Sequence, residues 1–94
     1  MKHYVLLKLA QGVDVDAARH KVWKALDKLD ADLDWLNRPA VFRSCRPDGD
    51  ADLMAVFEVD EEERLPEYLN HPARVKLAEA LKDVLVSQVT FDHY

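Results

Sequence analysis

Three residues with useful chemistry stand close together in the run Tyr68-Leu69-Asn70-His71-Pro72-Ala73-Arg74, and a fourth, His3, lies near the N-terminus. A phenol such as Tyr68 can donate a proton to a substrate oxygen, or its ring can serve the core while the hydroxyl sits at the rim. Imidazole titrates near neutral pH and suits a general acid or base, so His3 and His71 are candidates. For His3 hydrogen-bonded packing is the plainer reading. For His71, which precedes Pro72, it is a helix cap. Arg74 stays protonated and has no acceptor atom. It can hold an anion, or pair with a carboxylate such as Glu67 or Asp92, and the ion pair is the favoured expectation.

Other combinations carry less. Asp92-His93 has no serine or cysteine nucleophile placed to use it. The four histidines, His3, His20, His71 and His93, show no zinc spacing, so no metal is expected, and neither is a cofactor. Cys45 lies beside Arg46, which favours a thiolate, but a buried structural thiol is the expected state. A single thiol forms no internal disulfide and fits a reducing cytoplasm.

The elements that must position these residues follow from periodicity. Lys2 to Ala10 alternates His3, Val5, Leu7 and Leu9 against Tyr4, Leu6 and Lys8, which reads as a strand covered on both faces. Gln11-Gly12 turns the chain, and Asp14 or Asp16 caps a helix reaching about Asp30. Its buried stripe is Ala18, Val22, Ala25, Leu26 and Leu29, with Trp23 at the edge. Trp35 to Cys45 reads as extended, with Pro39 demanding an edge position or a bulge. The turn Arg46-Pro47-Asp48-Gly49-Asp50 joins it to a strand over Asp52 to Val59. Asp60 and Glu63 have the spacing of a capping box for a short helix that tolerates Pro66 in its first turn. Pro72 separates that helix from a second one lined by Val75, Leu77, Ala78, Leu81, Val84 and Leu85. Val86 to Tyr94 closes as a strand. The order is β-α-β-β-α-β, the ferredoxin-like α+β pattern, in one domain spanning 1–94.

Bulk properties restrict the partners. A net charge of −5 repels phosphate backbones, so nucleic acid is not expected. No polybasic patch or long apolar run points to a membrane, and the N-terminus has no signal-peptide pattern. A chain of 94 residues has a marginal core of its own, and self-association would bury more apolar surface.

Several short segments, in order, resemble the stress-responsive A/B-barrel (Dabb) family. They are His3-Tyr4-Val5-Leu6-Leu7-Lys8-Leu9, Gly12-Val13-Asp14, Asp52-Leu53-Met54, Tyr68-Leu69-Asn70-His71-Pro72 and Phe91-Asp92. The resemblance implies a four-stranded antiparallel sheet with helices on one face. It also implies a homodimer in which two sheets pack face to face as an α+β barrel. Some members resemble polyketide cyclases, which use a tyrosine together with the last histidine of His-Pro-x-His. Here that position holds Arg74, which cannot take up a proton, so the family's cyclisation route is in doubt.

Three readings follow. The chain is a homodimer binding a small apolar or anionic molecule between sheet and helices, near His3, Tyr68, His71 and Arg74. Alternatively it is an enzyme, of polyketide cyclase/lyase or cofactor-free monooxygenase type. Or its pocket is packed shut by Trp23, Trp35 and Phe57. The residues leave open whether there is a reaction, and an open cavity separates the first two readings from the third.

Overall fold

The computed structural model describes residues 1–94. The alternating apolar pattern of the N-terminal segment produces β1, Lys2–Leu9, whose even-spaced set His3, Val5, Leu7 and Leu9 is buried. Gly12, at φ +85°, makes the turn that follows, a conformation that L side chains rarely adopt. Asp14 then caps α1, Val15–Asp32, by accepting from the Ala17 amide at 3.1 Å. The helix runs two residues beyond Asp30 and buries Ala18, Val22, Leu26 and Leu29. Trp23 does not seal the stripe, being 41% exposed.

β2, Leu36–Arg43, and β3, Leu53–Val59, are antiparallel neighbours. The register shifts between Asn37 and Ala40, so Arg38 and Pro39 form a bulge, with Arg38 at φ 53°. Pro39 thus sits on an edge strand, where its missing amide costs no central ladder bond. The chain then makes a 3₁₀ turn, Glu62–Arg64, a short α2, Leu65–Leu69, then α3, Pro72–Leu81, and β4, Leu85–His93. The sheet order is β2-β3-β1-β4, all antiparallel.

Three local expectations change. The Asp60–Glu63 capping box is not formed, because the Asp60 carboxylate accepts from the Asn37 side chain at 2.8 Å, tying β2 to the end of β3. Val84 and Leu85 lie beyond α3, and Val75 is 47% exposed. The helix ends at Leu81 and the strand starts at Leu85, and α3 packs on α1 more than on the sheet, which leaves Val75 in solvent. Cys45 is exposed, since it lies beyond the end of β2 in the loop to β3.

One face of the sheet carries the core, with Leu53, Ala55, Phe57 and Val59 of β3 buried beside β1. The register places Tyr4 opposite both Val56 and Phe91, and Leu6 opposite both Met54 and Val89, on the other face. Ala40 and Phe42 join them through Val56 and Met54. No helix covers this face, and Phe42, Val89 and Phe91 are 54%, 58% and 60% exposed. No helix of the structure is long and apolar enough to cross a membrane.

Candidate functional site

The gap left where α3 leans away from the sheet is a cavity of about 340 Å³. Its floor is Val5 and Leu7 of β1, Ala55 of β3 and Gln88 of β4. Val22, Leu26 and Leu29 of α1 form one wall, and Leu77, Ala78 and Leu81 of α3 form another. Eleven of its 14 lining residues are hydrophobic, so nearly all of it suits an apolar body. Trp35 and Phe57 are buried in the core, yet the cavity persists, so the packed-shut reading does not hold.

Tyr68 and Arg74 both line this cavity. Tyr68 reaches it from α2, whose position is set by Trp35. The Trp35 indole donates to Glu67 at 3.2 Å, and the Arg64 guanidinium lies over the Trp35 ring and meets the other Glu67 oxygen at 3.3 Å. The Tyr68 ring packs edge-on against Phe57, with centroids 5.0 Å apart. Burial pushes the Tyr68 hydroxyl above its usual value of 10.0, while the neighbouring Arg74 guanidinium pulls the other way. The phenol therefore keeps its proton at neutral pH.

Arg74 occupies the first turn of α3 and is half-buried. The expected pairing with Glu67 or Asp92 is absent. Glu67 is engaged by Trp35 and Arg64, and Asp92 is engaged by His3. Arg19, Arg38, Arg43 and Arg64 each have an acidic partner, whereas Arg74 and the exposed Arg46 have none.

His3 is buried on the helix-facing side, and its Nδ1 is hydrogen-bonded to Asp92. A carboxylate only accepts, so the His3 Nδ1–H donates to Asp92, and Nε2 takes no part in this bond. The His3 ring stands edge-on to Tyr68 at 5.8 Å and tilted to Phe57 at 5.0 Å. His3 neighbours the cavity through Tyr68 but does not line it.

His71 does other work. Its Nδ1 accepts from the Ala73 amide at 3.0 Å, capping α3, which leaves Nε2 to donate to Asp32 at 3.0 Å. A hydrogen bond from Lys28, with a further one from His71, holds the Asp32 carboxyl below its usual 3.8. His71 thus joins α3 to the end of α1 and lies outside the cavity lining.

Three roles were not anticipated from the sequence, those of Asp92, Gln88 and Lys82. Asp92 as the partner of His3 follows from the β1–β4 register, which sets them opposite each other. Gln88 and Lys82 line the cavity, and no local pattern marks them.

No curated protein sequence matches the chain at a significant level. Solved structures do. A dimeric protein of unknown function and ferredoxin-like fold from Bacteroides fragilis superposes with a TM-score of 0.83, at 23% identity over 98% of this chain and 92% of that one. A dimeric ferredoxin-like protein of unknown function from Thermobifida fusca gives 0.76, at 24% identity over 96% and 85%. A candidate monooxygenase from Lactobacillus acidophilus gives 0.79, at 11% identity over 95% of this chain and 41% of that one. At these identities the likeness establishes the fold. The family model of the stress responsive A/B barrel domain matches residues 1–94, and the chain belongs to that family.

Proposed function

We propose that this protein is a homodimer that holds a small molecule between its sheet and its helices. The observation that carries the binding half is the cavity under α3, apolar throughout except near Tyr68, Arg74, Lys82 and Gln88. Apolar surface of this kind favours an apolar guest. The assembly half rests on the uncovered sheet face, where Leu6, Met54, Val56, Val89 and Phe91 form a continuous apolar surface. Such a face gains most from a second copy of itself, in line with the dimeric neighbours. The lone exposed thiol of Cys45 suits a reducing compartment such as the cytoplasm.

Native mass spectrometry tests both halves. A dimer mass, with a retained small-molecule mass or one acquired on incubation, is the expected result. A monomer at micromolar concentration overturns the assembly. Substituting Ala78→Phe fills the cavity from α3. Ligand uptake that survives this substitution overturns the location.

One observation favours a catalytic alternative, a cyclase or lyase, or a cofactor-free monooxygenase. The His3–Asp92 hydrogen bond fixes a buried imidazole near the Tyr68 phenol, and an imidazole held in place can serve as an acid or base toward a substrate. Because His3 is not in the cavity lining, this reading requires Tyr68 to move when substrate enters. His3→Gln then abolishes turnover while leaving ligand uptake intact. Unchanged turnover in that variant removes the catalytic reading.

A further inference from the structure

We infer that the ligand is an apolar monocarboxylic acid whose carboxylate is gripped by Arg74 and Tyr68. This rests on the cavity reading above and specifies the chemistry of its occupant.

The charge inventory of the cavity is one-sided. Its lining includes Arg74 and Lys82 and no aspartate or glutamate. Lys82 is directed to Glu79, at 3.6 Å, with both side chains largely in solvent. Arg74 is therefore the one fixed cation offered to the interior, and it matches a single negative charge. A phosphate dianion would be left half compensated.

Arg74 also stands where a cation is unfavourable. The first turn of α3 carries the positive end of the helix dipole, and that turn contains no acidic residue to offset it. The two carboxylates expected to pair with it are committed elsewhere, Glu67 to Trp35 and Arg64, and Asp92 to His3. The protein thus keeps a half-buried guanidinium beside a cavity with the Tyr68 hydroxyl as its neighbour and no carboxylate to balance its charge. An incoming carboxylate supplies the missing charge.

The donor geometry agrees. A guanidinium presents a planar fork suited to two carboxylate oxygens. Tyr68, protonated at neutral pH, adds an O–H donor from the same end of the cavity. Beyond these groups the walls are aliphatic, with Gln88 the single neutral polar side chain. A sugar or nucleotide would strand its hydroxyls there. At about 30 Å³ per water-sized group, the 340 Å³ cavity takes a guest on the order of ten non-hydrogen atoms.

Calorimetric titration of the purified protein with octanoate and with 1-octanol, at pH 7.5, separates the possibilities. Octanoate is expected to bind at least tenfold more tightly than octanol, the gain of a charge-assisted pair. Arg74→Gln is expected to reduce octanoate to the level of octanol and to leave octanol unchanged. Arg74→Lys, which keeps the charge and loses the fork, falls between. Should Arg74→Gln fail to fold, Tyr68→Phe provides the second variant, with a several-fold loss for octanoate alone. Equal affinity for the two probes in the native protein overturns the carboxylate inference and leaves the cavity reading standing. Octanoate binding indifferent to Arg74→Gln does the same. Binding of neither probe overturns both.

Discussion

The two ends of the sheet are covered very differently. On the β2–β3 side, Leu26 and Leu29 of α1 meet Trp35, Leu36, Phe57 and Val59 with almost no exposed surface. On the β4 side, α3 buries Leu81 alone, and β4 buries nothing. The first region is close-packed and the second is under-filled by side chains of similar type. Hydrophobic content therefore does not explain the contrast. It comes from the approach of α3, which His71 and Asp32 fasten to α1. This small domain therefore has one close-packed half and one under-filled half.

That contrast is open to direct attack. The largest effect is expected for Phe57→Ala, at about 3–5 kcal/mol, because a fully enclosed ring leaves a void. Leu77→Ala, which borders an existing cavity, should cost less than half as much in the same urea titration. Equal costs would mean that the two halves are equally packed. Next, Phe91→Asp places a charge on the uncovered face and should weaken self-association by at least about 2 kcal/mol, seen as monomer in sedimentation, with helix content kept.

His71→Ala follows, at about 1 kcal/mol, through loss of the α3 cap. Asp32 adds a pH signature. Its lowered pKa contributes stability above 3.8 that is lost as pH falls through the folded value. Lys28→Ala should flatten this acid-side loss more than His71→Ala does, because the Lys28 hydrogen bond is the larger cause. Smallest is Tyr68→Phe, within about 0.5 kcal/mol in thermal melts if the hydroxyl serves a ligand, whereas a loss above about 2 kcal/mol would mark it as part of the core.

Much of the fold was legible in the sequence because it is written in short-range periods. The alternation in β1 and β3 separated His3 and Phe57 from Tyr4 and Met54 onto opposite faces, and the family resemblance implied which face the helices cover. Asp14 and Pro39 likewise carry their structural role in their own chemistry. The departures involve distant partners. Asp60 had the spacing of a cap, but Asn37 on another strand takes its carboxylate. Arg74 was expected to pair, but Trp35 and His3 reach the two carboxylates first. The cavity belongs to the same class. Tyr68 and Arg74 were recognisable as chemically useful, but their shared opening depends on the tilt of α3, which no stretch of sequence encodes by itself.

The bulge at Arg38–Pro39 has a consequence for what happens when the protein is stressed. A sheet margin that presents an unbroken row of amides and carbonyls templates extended chains from other molecules. At β2 that row is interrupted by a residue with no amide and by a neighbour at φ 53°. Such an interruption disfavours the pairing of extended chains along this margin. The opposite margin, Leu85–His93, has no such interruption from proline and is rich in β-branched and aromatic residues. Aggregation of heated or partly unfolded protein should therefore begin at β4, so solubility is best improved by lysine or proline substitutions there.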